Sequence, residues 1–211
     1  MPIPSTNASE ELPAVNEILA SVGQAPVTSL DQTNPDVAIA YNTLLRVSRE
    51  VQSEGWSFNR EINVTFKPDT DTKEIDVRSD ILQLDIVHNS STYDKDTVVR
   101  RKPGGTVRKL YEKNAHTFEW GDDIKCDVTY EYPWIDLPIP IQDYIVSRAA
   151  TVVSSRIVGD GQQYQMLQQK EQQARAVALE YETNQGDYTF FGHPQGQNYY
   201  NSYQPYHALS R

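Results

Sequence analysis

The spacing of apolar residues changes twice along this chain, and that change limits the fold more than any single motif does. Leu12, Val15, Leu19 and Val22 fall three, four and three apart, which places them on one face of a helix. Gly23 stops that helix. Asn7, Ser9 or a residue nearer Pro13 caps its start, and Pro13 is acceptable only in the first turn. After a connector containing Pro26, the run Asn34-Pro35-Asp36 supplies an N-cap, a proline preset for the first helical position and an acid at the positive end of the helix dipole. The stripe Val37, Tyr41, Leu44, Leu45, Ser48 and Val51 predicts the second helix, and Gly55 is placed to take the left-handed conformation beyond its last turn.

At Trp56 the pattern becomes that of a strand. Ile62, Val64 and Phe66 alternate with polar residues, Pro68-Asp69 makes a turn, and Leu82, Leu84 and Ile86 alternate again, as half-buried strands do. Val98-Val99, Pro103-Gly104-Gly105, Val107 and Leu110 predict a hairpin around a glycine turn. Phe118 and Trp120 follow, then the turn Gly121-Asp122-Asp123. Ile124, Cys126, Val128, Tyr130 and Tyr132 form the cleanest alternation in the chain, with Cys126 on the apolar face as a small core residue. Three prolines between Pro133 and Pro140 predict a linker. The helical period then resumes in Ile141, Tyr144, Ile145, Ala149, Val152, Val153 and Ile157, whose broad apolar face suits the centre of a bundle. Gly159-Asp160-Gly161 breaks that helix, and a last one over roughly 162–183 carries Tyr164, Leu167, Ala174, Ala178 and Tyr181 on one stripe, interrupted by Glu171, with glutamines on its other faces.

Beyond Gly186 there is no period of either kind. Tyr188, Tyr199, Tyr200, Tyr203 and Tyr206 are interleaved with Gly, Pro, Gln and Asn, and so few aliphatic residues cannot build a core. The order of elements predicts an α+β fold. Residues 1–55 and 141–185 form a helical bundle domain of two N-terminal and two C-terminal helices, residues 56–140 an inserted antiparallel β-domain, and residues 186–211 an extended Tyr/Gln-rich C-terminal arm.

Charge and composition exclude several functions. With 19 Lys+Arg against 29 Asp+Glu the net charge is −10, the wrong sign for a dedicated DNA-binding surface. A mean hydropathy of −0.62 and short apolar runs such as Ala149 to Val153 leave no membrane span. Met1 to Asn7 carry neither the basic cluster nor the apolar stretch of an export signal, so neither secretion nor a lipid anchor is expected. The single cysteine, Cys126, permits no intrachain disulfide and fits a reducing compartment.

The chemistry of catalysis is equally thin. His88, His116, His193 and His207 show no metal-ligand spacing, and Pro103-Gly104-Gly105 lacks the Lys-Ser/Thr of a phosphate loop. Acid pairs such as Asp94 with Asp96, Asp122 with Asp123, or Glu119 are what any acidic protein contains. No catalytic residue, metal ligand or cofactor site is assigned. The 13 tyrosines instead offer apolar area with a polar tip, which suits contact with other proteins.

One local feature opposes the acidic whole. Arg100, Arg101, Lys102, Arg108 and Lys109 place positive charge on both arms of the predicted hairpin. Such charge protects solvated edge strands from unwanted pairing, and it also suits a contact with an acidic partner or with passing nucleic acid.

Several blocks together resemble a known family. The run Glu11-Leu12-Pro13-Ala14-Val15-Asn16-Glu17-Ile18-Leu19-Ala20-Ser21-Val22-Gly23-Gln24-Ala25-Pro26-Val27 is similar to the opening of the tail tubular protein A family of short-tailed phages. Gln52-Ser53-Glu54-Gly55-Trp56-Ser57-Phe58-Asn59 resembles its Gln-x-x-Gly-Trp-x-Phe-Asn stretch. Asp136-Leu137-Pro138, Tyr144-Ile145 and Arg148-Ala149-Ala150 before Arg156 and Gly159 resemble a third block, so the likeness runs in order over about residues 10–185. The Tyr/Gln-rich end departs from the pattern.

The resemblance implies a virion protein. Members form a twelve-subunit ring, the adaptor or gatekeeper between the portal at the capsid vertex and the nozzle, tail tubular protein B, with DNA passing through the middle and tail fibres attached nearby. It also implies a helical bundle with an inserted β-domain. On this basis the basic hairpin is expected to contact the nozzle or a fibre, while Tyr188, Tyr199, Tyr200, Tyr203 and Tyr206, whose rings offer large, rigid contact area at small entropy cost, are expected to contact the portal. A reading from another class is a tail-associated polysaccharide-degrading or sugar-binding protein, with Trp120, Trp134 or Trp56 as a stacking platform beside a carboxylate pair.

Overall fold

A computed structural model describes residues 10–87, 92 and 94–186. Among these residues the element order is two α-helices, six strands, a short 3-10 helix and two further α-helices. The helices are α1 (Leu12–Ser21), α2 (Pro35–Gln52), α3 (Ile139–Ile157) and α4 (Gly161–Gln185). The strands are β1 (Arg60–Phe66), β2 (Asp76–Val77), β3 (Ile81–Ile86), β4 (Thr97–Arg101), β5 (Arg108–Glu112) and β6 (Ile124–Tyr130).

Helix ends follow the local chemistry. In α1 the N-cap position is Glu11, next to a proline in the first turn, and its side chain makes no cap bond; Asn7 and Ser9 lie outside the described residues. Gly23, at φ 77°, ends the helix in a Schellman motif: the Gly23 N–H reaches the Ala20 carbonyl at 3.1 Å and the Gln24 N–H reaches Leu19 at 3.0 Å. Asn34 caps α2 by accepting the Asp36 N–H at 3.0 Å, and Gly55 takes φ 80° beyond the far end. Asp160 caps α4 in the same way.

The prolines between Pro133 and Pro140 do not form a plain linker. Trp134–Asp136 is a turn of 3-10 helix, and α3 begins at Ile139, two residues before Ile141. Pro138 stands at the N-cap with extended dihedrals and Pro140 sits in the first turn, where a missing N–H costs no hydrogen bond.

The helices share one core. Ile18 and Leu19 of α1, Ala40, Leu44, Val47 and Val51 of α2, and Ile141, Ile145, Ala149 and Val153 of α3 are almost wholly removed from water. The buried face of α2 is centred on Ala40 and Val47, leaving Leu45 and Ser48 half-buried. Helix α3 is buried on most sides and lies at the middle. Trp56, Trp134 and Leu137 also pack into this core although the sequence boundaries assign them to the β region.

The strands form two small antiparallel sheets, ordered β1-β6-β3 and β2-β5-β4, around a second core of Ile75, Ile81, Ile86, Leu110, Trp120, Ile124, Cys126 and Val128. Cys126 is fully buried in the central strand β6, as its alternation predicts. Alternation also places Ile62 beside Val64 and Phe66 on the inner face, but Ile62 is 54% exposed. A bulge between Glu61 and Val64, with Asn63 at φ 59°, turns it outward.

Candidate assembly surfaces

Two cores in one chain need a joint, and the stretch Gln52 to Asn59 makes it. Gly55 reverses the chain in a left-handed conformation that other residues resist, with Thr129 close by. Asn59, fully buried, then satisfies three backbone groups at once. Its amide donates to the carbonyls of Gln52 at 2.8 Å and Tyr130 at 2.9 Å, and its oxygen accepts the Trp56 N–H at 2.8 Å. The indole N–H of Trp56 donates to the Val51 carbonyl at 2.7 Å. Gln52 accepts the Tyr132 N–H at 2.7 Å and donates to the Tyr132 carbonyl at 3.2 Å. Thus the end of α2 is hydrogen-bonded directly to the chain leaving β6.

Charged groups reinforce this joint. Arg49 forks onto the buried carboxylate of Glu131, with nitrogen to oxygen distances of 2.8 to 3.2 Å. Glu182 of α4 accepts the Ser57 N–H at 2.9 Å and the Ser57 hydroxyl at 2.9 Å. The phenol oxygen of the buried Tyr144 in α3 accepts from Arg148 and Arg175, each at 3.0 Å. Those guanidinium groups continue to Glu50, at 3.0 Å from Arg148, and to Glu54, at 3.5 Å from Arg175. Helices α2, α3 and α4 are therefore cross-linked by one polar network.

The basic hairpin is an antiparallel pair with Arg100 opposite Lys109 and Arg101 opposite Arg108. The turn at Pro103-Gly104 carries the Gly105 N–H to the Lys102 carbonyl at 2.9 Å, with Gly104 at φ 76°. Most of its positive charge is met within the chain. Lys102 pairs with Glu74, and Lys109 bonds to Glu74 at 3.0 Å and Asp76 at 2.5 Å. Those bonds from Lys102 and then Lys109 hold the Glu74 carboxyl below its ordinary range, and Asp76 with Glu74 raises the Lys109 ammonium. Arg108 spans to the carbonyls of Ser79 at 3.3 Å and Ile81 at 2.8 Å, bridging the two sheets. Arg100 lies over the Tyr111 ring, 4.6 Å from its centre. Arg101 is exposed and makes no ion pair among the described residues. Arg100, Arg101 and Arg108 line one groove of about 550 Å³ between the edge strands β3 and β4.

The remaining residues singled out from the sequence do not converge. Tyr188, Tyr199, Tyr200, Tyr203 and Tyr206, with His88, His193 and His207, lie outside the described residues. His116 sits at φ 55° with a ring nitrogen 3.5 Å from the Tyr111 hydroxyl. Asp96 pairs with Lys113, and Asp123 with Lys67 at 3.9 Å. Trp56, Trp120 and Trp134 are 4%, 2% and 9% exposed, so none presents a ring to a sugar; the indoles were needed in the two cores. Burial, then the negative Asp85 and Asp127, push the Cys126 thiol up to about 12. Among the described residues no three His, Cys, Asp or Glu side chains are grouped to hold a metal, and no helix is long and apolar enough to cross a membrane.

A family model for the tail tubular protein matches residues 12–188, which contain all four helices and all six strands. The chain belongs to the tail tubular protein family. No curated protein matches it. Tail tubular proteins are structural components of the phage tail rather than enzymes, which makes the surfaces of this one, and the joint that fixes them to each other, the functional features. The match covers the Gln52 to Asn59 joint and the Tyr144 network, and it stops before most of the Tyr/Gln-rich end of the sequence. In the sequence this joint shows as a signature without its role, since the partners of Gln52 and Arg49 lie about 80 positions away.

Proposed function

We propose that this tail tubular protein is one subunit of a twelve-membered ring, the adaptor or gatekeeper that joins the portal to the nozzle, tail tubular protein B, and forms part of the DNA ejection channel. The family match over residues 12–188 carries the reading. The joint at Gln52 to Asn59 supports it, because an adaptor must hold a face for its neighbours and a face for another protein in fixed relation. In this reading residues 1–55 and 141–185 form the bundle domain, residues 56–140 the β-domain and residues 186–211 an arm on the portal, where tyrosines give large contact area at small entropy cost.

The net charge of −10 fits a conduit, since a negative wall repels DNA in transit. The hairpin face at Arg100 and Arg101 meets the nozzle or a fibre rather than DNA. No cofactor or metal enters the mechanism. Electron cryomicroscopy of the chain mixed with purified portal tests the whole proposal. A closed ring seated on the portal, with an acidic lumen, is the expected result, and a portal left bare overturns it.

A further inference from the structure

The groove of about 550 Å³ between β3 and β4 holds two strand edges that face each other without pairing. Each strand is the outermost of its sheet, in the orders β1-β6-β3 and β2-β5-β4, and among the described residues no backbone hydrogen bond joins the two. Alternation of bonds along an antiparallel pair tells which groups of each strand are already used. The Lys113 N–H reaches the Asp96 carbonyl at 2.8 Å, so Asp96, Val98 and Arg100 turn their backbone groups to β5, while Thr97, Val99 and Arg101 turn theirs to the groove. The Leu110 N–H, which reaches the Ile75 carbonyl at 3.0 Å on the other side of β5, fits the same alternation. On β3, the Val87 N–H reaches the Lys125 carbonyl at 2.8 Å, which assigns Gln83 and Asp85 to β6 and leaves Leu84 facing the groove.

The usual guards of a sheet edge are missing from the middle of β4. It contains no proline, no bulge interrupts its register with β5, and Val98 and Val99 stand there half-buried in place of charges. The charges lie at one end. Arg101 is exposed, Arg100 covers the Tyr111 ring, and Arg108, opposite Arg101, bonds to the Ile81 carbonyl, which sets this end beside the start of β3. Asp85, the carboxylate of β3, therefore lies toward the other end.

These features together select an occupant. A row of unused N–H and C=O groups takes an extended peptide backbone, the half-buried Leu84, Val98 and Val99 take apolar side chains, and Arg100 and Arg101 take carboxylates. A phosphodiester backbone has acceptors for the arginines but no donors for the strand carbonyls, so nucleic acid satisfies half of the site.

We infer that this groove takes an extended acidic segment of another protein, which adds as a strand to β4 and sets its carboxylates against Arg100 and Arg101. The inference deepens the reading in which the hairpin meets the nozzle or a fibre, by naming the form of the segment that docks, and rests on that reading for its place in the tail. Binding itself is measured on the full chain alone.

The probe is the capped, fluorescein-labelled peptide Asp-Glu-Val-Thr-Val-Thr, together with its reversed order because a strand can add in either direction. One of the two should bind the full chain by fluorescence anisotropy and slow hydrogen exchange at the Val99 and Arg101 amides. Arg100→Glu with Arg101→Glu should weaken binding more than about tenfold. Val99→Pro removes an N–H that β5 does not use, so it should abolish binding while β4 stays paired. Should that variant unfold, a peptide methylated at its backbone nitrogens tests the same bonds at unchanged charge, and it should not bind. Neither peptide bound at millimolar concentration, binding that survives loss of the backbone bonds, or an oligothymidine bound in preference to both peptides overturns the inference. A ring on the portal with no peptide bound would leave the adaptor reading intact, and a bare portal with peptide in the groove would remove that reading and leave the groove a peptide site.

Discussion

Gln52 and Tyr132 bond to each other in both directions across 80 positions of sequence, 2.7 Å from the Tyr132 N–H to the Gln52 oxygen and 3.2 Å from the Gln52 amide to the Tyr132 carbonyl. A side-chain amide offers the same donor and acceptor as a peptide group, so Gln52 serves the chain beyond β6 as a neighbouring strand would. Asn59 repeats the device one step earlier, at Tyr130. The two amides thereby attach the helical core to the β region through backbone groups, which leaves little freedom for relative motion.

Gln52→Glu should test this directly. The substitution keeps the shape but replaces a donor with an oxygen facing the Tyr132 carbonyl, in a position 1% exposed. A buried group left unsatisfied costs roughly 1–3 kcal/mol, and urea unfolding should show a loss of that size. Asn59→Ala, which strands three backbone groups, should lose about 2–4 kcal/mol. A loss under about 0.5 kcal/mol in both, the range of ordinary surface changes, would mean that water replaces the amides and the joint is not rigid.

Cys126 should be chemically silent in the native protein. Its thiol is pushed up to about 12, chiefly by burial, so almost no thiolate exists at neutral pH. Labelling with a thiol reagent should therefore follow global unfolding, slowing as the protein is stabilised. Rapid labelling under native conditions would show that β6 opens locally.

The hairpin should be sensitive to acid through Glu74. Its carboxyl is held below the ordinary value of 4.5 by bonds from Lys102, then Lys109. A depressed folded-state pKa means the contribution is fully present above 4.5 and lost as pH falls through the lower folded value. Wild type should exceed Glu74→Gln in thermal midpoint at neutral pH, and the gap should close progressively below 4.5. A gap independent of pH would assign the effect to packing instead.

These three sites differ in how far sequence discloses them. Element order, the Asn34 cap, the left-handed Gly23 and Gly55, and the buried side of β6 are all local consequences of residue type, and each is legible from neighbours a few positions away. Ile62 is misplaced by alternation because a bulge adds a residue to one strand and not its partner, an event decided by the pairing with β6. The start of α3 at Ile139 is hidden because a proline is read as a breaker although it is compatible with a first turn. The five cations of the hairpin look alike in sequence. Their separation into paired and unpaired comes from Glu74 and Asp76, about thirty positions upstream, which only the β2 to β5 pairing brings alongside.

That separation predicts two opposite phenotypes within one hairpin. Lys109 is tied to Glu74 and Asp76, so Lys109→Ala should lower the unfolding midpoint, and any assembly defect should follow from lost stability. Arg100 and Arg101 hold no acidic partner among the described residues; reversing both to Glu costs the Tyr111 stacking, about 0.5–1 kcal/mol at an exposed site, and little else in the isolated chain. If this edge meets an acidic surface of the nozzle or a fibre, Arg100→Glu with Arg101→Glu should fold almost normally and yet block tail completion, because two attractive charges become two repulsive ones. Particle yield in a complementation assay, set beside the unfolding midpoint of each purified variant, separates the cases. Normal yield from the double reversal would assign the arginines to guarding an edge strand, with no part in assembly.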